Sequence, residues 1–249
     1  MWSGRLHFFL GASGALTHAL LRWPIPRGST VVCSNVTYHC VRDLLASRCR
    51  RAGATLTQVD FPFPCTSPDE VLRVLKSRLQ ELRGSVLSLV VLDHISSKPA
   101  ILFPAREMVA ACRAHGAAAV VVDGAHAAGQ LAHVCVDDID ADAYIGNTHK
   151  WLYSPVSCGY LVERRAGHSA MRDSHGGKAL PVLPPLNAED VPSTYEFEAV
   201  TQGVYAESTR DYSALLSLPA CVLFREALGG AVAVHDHCHG TEHPVTAAG

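Results

Sequence analysis

At 249 residues, 48% of them hydrophobic, the chain is long enough to pack one large or two small domains. A formal net charge of -2 and the lack of any basic run exclude long-range attraction to nucleic acid or an anionic membrane, so neither is expected as a partner. No apolar stretch reaches the length needed to span a bilayer.

The nine cysteines are odd in number, dispersed, and free of any Cys-x-x-Cys pair, which suits reduced thiols in the cytosol. Cys158, in Ser-Cys-Gly-Tyr, reads as a packing residue before it reads as a catalytic thiol. Arg5 followed by Leu6 to Leu10 mimics a short signal sequence, but Gly11 to Gly14, Thr17 and His18 interrupt the run below the roughly 7 to 15 residues of a signal core. The expected location is therefore cytoplasmic.

In chain order, Leu6 to Leu10 reads as a strand, Gly11 to Gly14 as a tight turn, and Ala15 to Trp23 as a helix stopped by Pro24. Unsatisfied amides at such a helix start make a ready phosphate site. Gly11 and Gly14 lack the third glycine of a dinucleotide fingerprint. Thr30 to Ser34 is a strand, and Tyr38 to Ala52 a helix closed by Gly53. Ala54 to Asp60 alternates as a strand. Ser67-Pro68-Asp69-Glu70 is a capping box with proline at the first helical position, opening a helix from Pro68 to Arg83. Its Val71, Leu72, Leu75 and Leu79 recur at helical spacing and face the sheet.

Ser85 to Leu92 is a buried strand whose exit, Asp93 to Ser97, is polar and faces the rim; Pro104 to His115 is a helix closed by Gly116. The repeated alternation of strand and helix predicts an α/β fold, a mainly parallel sheet with helices on both faces.

Ala117 to Val122 is an apolar run that ends on Asp123 and Gly124, so a buried strand delivers an acid to a rim. A second strand, near Ala143 to Gly146, leads into Asn147-Thr148-His149-Lys150-Trp151. Open α/β sheets bind ligands at the carboxyl ends of their strands, which brings Asp123 and Lys150 to one crevice. A lysine can hold pyridoxal phosphate as a Schiff base, and an acid facing the pyridine nitrogen keeps that ring protonated and electron-withdrawing. The bland alternative is a surface lysine and an aspartate that caps a turn. Asp123, His126, His133 and Asp137 can be drawn as metal ligands, but their spacing matches no helical or zinc-loop pattern, and no metal is expected. No Gly-x-Ser-x-Gly elbow occurs.

Asp-Gly-Ala-His-Ala-Ala-Gly-Gln at 123 to 130 and Gly-Asn-Thr-His-Lys-Trp-Leu at 146 to 152 resemble the class V aminotransferase family of fold type I pyridoxal phosphate enzymes, in particular its isopenicillin N epimerase-like branch, with cysteine desulfurases as more distant relatives. The likeness runs from about Leu6 to about Gly230. It implies that Lys150 forms the imine, Asp123 pairs with the pyridine nitrogen and His126 approaches the phenolic oxygen. It further implies that Ala12, Ser13, Asn147 and His149 hold the phosphate, that Tyr38 stacks on the ring and that Ser97 lies near the phenolic oxygen. The family more often has Asn-Ala-Thr where this chain has Gly11-Ala12-Ser13, and a glycine where it has Ala100.

Beyond a strand from Cys158 to Glu163, the stretch Arg164 to Pro192 reads as a long loop. Ser208-Thr209-Arg210-Asp211 resembles the family's Gly-Thr-Arg-Asp segment, in which the threonine reaches the neighbouring subunit's cofactor; this implies a homodimer and a cofactor role for Thr209. Leu218 to Leu228 is a helix ended by Gly229-Gly230. The tail His235-Asp236-His237-Cys238-His239 has the look of a metal cluster, which a polar helix face explains equally well.

The expected organisation is a cofactor-binding large domain over 1–230 and a tail over 231–249, without the small domain that, by the resemblance, supplies a carboxylate-gripping arginine. Two functions follow: an enzyme acting on an amino acid or its derivative by epimerisation, carbon-sulfur cleavage or transamination, or a truncated binding or scaffold protein without activity. Exposed apolar surface where a small domain packs would favour the second.

Overall fold

In the computed structural model, which describes residues 5–65, 67–164 and 211–240, strands and helices alternate as the sequence leads one to expect. The strands are β1 (Arg5–Phe9), β2 (Thr30–Ser34), β3 (Thr55–Val59), β4 (Leu87–Asp93), β5 (Val120–Gly124), β6 (Ala143–Asn147) and β7 (Gly159–Glu163). The helices are α1 (Ala12–Arg22), α2 (His39–Ala52), α3 (Pro68–Glu81), α4 (Ala105–Ala114), α5 (Val136–Ile139), α6 (Ser213–Leu216), α7 (Leu218–Ala227) and α8 (Gly230–Gly240).

The strands form one sheet in the order β1-β7-β6-β5-β4-β2-β3. From β3 to β6 every neighbouring pair is parallel, while β7 runs antiparallel to both β6 and β1. So β1 points the same way as β6, and the start of α1 lies at the same sheet edge as the ends of β2, β4, β5 and β6. That shared carboxyl edge positions the site.

Strands β2, β4, β5 and β6 are buried throughout, whereas in the edge strand β3 only Thr57 and Val59 are buried. Their side chains divide by the two-residue period of a strand. Val31, Cys33, Leu89, Val91, Val121 and Ile145 pack on one face against Leu16 and Leu20 of α1 and Leu45 and Cys49 of α2. On the other face, Val32, Val90, Leu92, Val120, Val122 and Tyr144 pack against Leu75 and Leu79 of α3 and Met108 and Cys112 of α4. Each buried aliphatic side chain contributes about 1.5–3 kcal/mol, so the sheet is a rigid platform.

Element ends shift by a few residues from their expected places, for physical reasons. Helix α1 starts at Ala12 rather than Ala15, since the Gly11 carbonyl already accepts the Ala15 amide at 3.1 Å. Helix α2 starts at His39, with Tyr38 as the capping residue in extended conformation. Strands β4 and β5 run through Asp93 and Asp123, because these residues pair in register and keep the ladder closed. Ser67 accepts the Glu70 amide at 3.2 Å, as the capping box requires.

Apolar side chains on α6 and α7 face outward: Leu216 is 77%, Leu223 69% and Phe224 54% exposed. Among the described residues no single helix is long and apolar enough to cross a membrane. None of the nine cysteines is disulfide-bonded. The expected loop over 164–192 and Thr209 fall outside the described residues, apart from Arg164.

Candidate active site

A cavity of about 580 Å³ opens at the carboxyl edge, and Ala12, Ser13, Tyr38, Ser97, Asp123, His126, Asn147, His149 and Lys150 all line it. Every expected site residue among those described therefore meets at one place, from five separate stretches of chain.

The floor is acidic. Asp123, the penultimate residue of β5, is buried, and its Oδ1 accepts the Ala125 amide at 2.9 Å. Burial raises its pKa, against the lowering pull of that amide and of Lys150. Asp93 ends β4 beside it and lines the same cavity, with Thr37 Oγ1 donating to its Oδ2 at 3.4 Å. Burial first, and then the Asp123 charge, push the Asp93 carboxyl well above the usual range. Asp93 is a member of the site that its sequence context, a polar strand exit, does not by itself single out. The available signal was that it ends a buried strand just as Asp123 does.

Opposite the acids, Lys150 sits in the loop after β6 with its Nζ 2.9 Å from His126 Nε2. Burial lowers the lysine pKa, while Asp123 opposes the shift. Burial, and then the lysine charge, lower that of His126. A neutral imidazole with its proton on Nδ1 can accept from Nζ at this distance. The pair thus holds an amine that is easier to deprotonate than an exposed one.

The third wall is the turn between β1 and α1. Asn147 Oδ1, at the end of β6, accepts the Ala12 amide at 2.7 Å, which leaves the Asn147 amide group free to face an anion. The following amides of α1 have no carbonyl one turn back to accept them, so the helix start offers donors and the positive end of its dipole. The turn can lie this close because β7 begins with Gly159: a Cβ there would stand 2.4 Å from the Gly11 carbonyl carbon. His149 Nδ1 lies 2.9 Å from the Cys158 carbonyl, which fixes the ring plane beside the turn. Cys158 itself is buried and contributes backbone contacts.

The lysine loop is tightly closed. Thr148 Oγ1 is 2.8 Å from Ser154 Oγ, and the Thr148 amide donates to the Cys158 carbonyl at 3.0 Å. Among the described residues no group of three or more His, Cys, Asp or Glu side chains could hold a metal ion.

A helix start with free amides, an aromatic at the rim, a buried acid and a lysine of lowered pKa match the phosphate, ring and carbonyl of pyridoxal phosphate. Sheet and crevice together define the large-domain architecture of the fold type I pyridoxal phosphate enzymes. The chain belongs to the family described as Aminotransferase class-V, whose model matches residues 7–206. Enzymes of this family use pyridoxal phosphate.

The L-cysteine desulfhydrase of Arabidopsis thaliana is 32% identical over 197 residues, which cover 78% of this chain and 40% of that protein. Among solved structures, the cystine C-S lyase C-DES in complex with its reaction product cysteine persulfide aligns with a TM-score of 0.65 at 18% identity, over 91% of this chain and 57% of that one. A cysteine desulfurase from Thermococcus onnurineus NA1 aligns with a TM-score of 0.62 at 18% identity, over 90% of this chain and 52% of that one. The chain spans about 40% of the length of the first curated relatives it matches.

Proposed function

We propose that this chain is the cofactor-binding part of a pyridoxal phosphate-dependent carbon-sulfur lyase acting on cysteine or a cysteine-derived amino acid. The observation that carries the cofactor reading is the 2.9 Å contact between Lys150 Nζ and His126 Nε2 in the cavity floored by Asp123. The desulfhydrase relative favours carbon-sulfur cleavage over the epimerase and aminotransferase chemistry that the family wording also allows.

In this reading Lys150 holds the cofactor covalently, and Asp123 faces its ring nitrogen. His126 and Ser97 face its phenolic oxygen and Tyr38 its ring. Ala12, Ser13, Asn147 and His149 bind its phosphate. Bound pyridoxal phosphate supplies the electron sink for the pair released at the substrate's alpha carbon. A cation brought to Asp123 would offset the burial that raises its pKa and so favour the carboxylate. Lys150, with its lowered pKa, is suited to hold and return the alpha proton. Residues 1–230 form the cofactor domain and the rest a tail, and the assembly is a homodimer in the cytoplasm in which Thr209 reaches the partner's phosphate.

A second reading has one observation in its favour. The outward Leu216, Leu223 and Phe224 leave apolar surface of the kind that marks an unmet partner. In that reading the chain is an inactive binding or scaffold protein.

The test is a visible absorption spectrum of the purified chain with pyridoxal phosphate, then borohydride reduction and peptide mapping. The expected result is a reduced cofactor adduct on Lys150, absent from Lys150→Ala, followed by sulfide release from cysteine. A folded chain with no adduct on Lys150 overturns the cofactor reading. An adduct without turnover of any amino acid leaves the second reading standing.

A further inference from the structure

We propose that Arg225 is the positioning residue that sets the Lys150–His126 pair, by tying the loop that carries each of them to helix α7. The inference concerns the site read above, but its observations stand apart from any cofactor.

Arg225 is only 5% exposed, although it sits on a helix whose neighbouring residues are largely exposed. Its Nη1 donates to the Trp151 carbonyl at 2.7 Å, one residue after Lys150. Its Nη2 donates to the Gly129 carbonyl at 3.1 Å, in the loop that carries His126. A guanidinium is suited to this, because its donors form a planar fork that can engage two acceptors at once. Charge-assisted bonds to two part-buried carbonyls hold both acceptors in place.

The two loops meet directly at this point. Gly129 has φ +87°, and a Cβ there would lie 2.3 Å from the Trp151 carbonyl oxygen. The guanidinium carbon also lies 5.2 Å from the centre of the Tyr153 ring, within cation–π range. Tyr153 holds φ 63° and Ser157 φ 80°, a left-handed conformation uncommon for side chains of this size. Phe224 also meets Tyr153, ring centres 6.1 Å apart and edge-on. A loop in a strained conformation persists only where its surroundings over-determine it. Arg225 supplies that constraint at the two carbonyls and the ring.

The groups facing Lys150 are His126 in the loop after β5, Asp123 in β5, Asp93 in β4, His149 beside it and Tyr38 at the start of α2. None of these residues is itself substituted in an Arg225 variant. Releasing the clamp separates the loops, admits water to Nζ and moves the amine toward ordinary lysine behaviour.

The test is the pH profile of reductive methylation of Lys150, followed by mass spectrometry, on the whole chain freed of bound carbonyl compounds with hydroxylamine. Arg225→Lys and Tyr153→Leu are compared with Arg113→Lys, which alters a second partly buried arginine that bonds the Asp140 carbonyl and Asp142 away from the cavity. Folding of each is checked by circular dichroism. The expected result is an upward shift of about one pH unit for Arg225→Lys and Tyr153→Leu, read as roughly tenfold slower labelling at pH 7, with no shift for Arg113→Lys.

An unchanged Lys150 profile in folded Arg225→Lys overturns the proposal, and so does an equal shift in Arg113→Lys, which would mean general loosening. If Arg225→Lys does not fold, Tyr153→Leu decides: a shifted profile supports the clamp, and an unchanged one overturns it. Because the label reports Lys150 without cofactor, this outcome is independent of whether pyridoxal phosphate binds.

Discussion

Asp93 and Asp123 are register partners on neighbouring parallel strands, both buried, and both line one cavity. Strands lie about 4.8 Å apart, so two carboxylates placed this way cannot both ionise without cost. Burial raises the pKa of both carboxyls, and for Asp93 the Asp123 charge adds to it, so a cation entering the cavity favours the charged forms that burial disfavours.

Replacing Asp93 with Asn is expected to stabilise the chain. The folded pKa of Asp93 is raised, so the proton it retains favours the native state below its unfolded pKa, and that benefit is lost as pH rises toward the folded value. At pH 7 the native state carries the penalty. Thermal melting of Asp93→Asn should be raised by about 2–4 °C at pH 7, the size of an approximately 1 kcal/mol gain in a chain of this length, with a smaller gain at pH 4. An equal gain at both pH values would assign the effect to packing.

Two substitutions at Asn147 should separate stability from cofactor affinity. Asn147→Ala removes the acceptor for the Ala12 amide, a loss of about 1–2 kcal/mol in stability by denaturant titration. Asn147→Asp keeps that acceptor and retains stability, yet sets a negative charge against the phosphate. It should weaken pyridoxal phosphate binding at least tenfold in a fluorescence titration, about 1.4 kcal/mol.

Gly159→Ala should act on the phosphate turn from behind. Its Cβ would meet backbone, the Gly11 carbonyl carbon at 2.4 Å, and the turn must move. The expected loss is about 1–3 kcal/mol of stability, with weaker cofactor binding than in Gly14→Ala, where a Cβ meets nothing within 4 Å. Similar affinities for the two variants would show that the turn has room to spare.

The lysine and histidine give the site a pH window with a definite sign. Lys150 has a lowered pKa, so its amine is free at pH values where exposed lysines are charged. His126 also has a lowered pKa, so its neutral form stabilises the fold above the unfolded value, and this is lost as pH falls through the folded one. Borohydride-trapped adduct on Lys150 should rise steadily from pH 5 to pH 8. His126→Gln should leave an adduct whose yield depends on Lys150 alone, with the rise displaced to a different pH. An identical profile in that variant would remove His126 from the amine's titration.

Much of this site was legible because two rules converge on it. Apolar runs that end on a polar residue mark strand exits, and parallel strands deliver those exits to one edge, which places Asp123 and Lys150 together; the roles of Asn147, His149, His126 and the turn at Ala12 and Ser13 are legible only through the family resemblance. Asp93 was harder. Whether a residue at a strand exit points into a crevice depends on which residue ends the ladder: Asp93 and Ile95 line the cavity, while His94 between them places its Nδ1 2.8 Å from the Tyr144 hydroxyl. Arg225 left no trace in periodicity, because its acceptors at Trp151 and Gly129 belong to loops far back in the chain. Helix α1 starting at Ala12 rather than Ala15 was likewise hidden, since its first turn is held by Asn147 in another strand.

The antiparallel strand β7 has a consequence for how the site is assembled in time. Among the described residues strand β1 joins the sheet only through β7, with Arg5 opposite Glu163 and Phe9 opposite Gly159. The phosphate turn that follows β1 thus precedes in the chain nearly all of the sheet with which its strand must pair. Closing so long a loop is the slow kind of step in folding. The acids at the ends of β4 and β5 do not depend on β7, whereas the lysine loop, closed on the Cys158 carbonyl, and the strand that leads into the phosphate turn both take their final place with it.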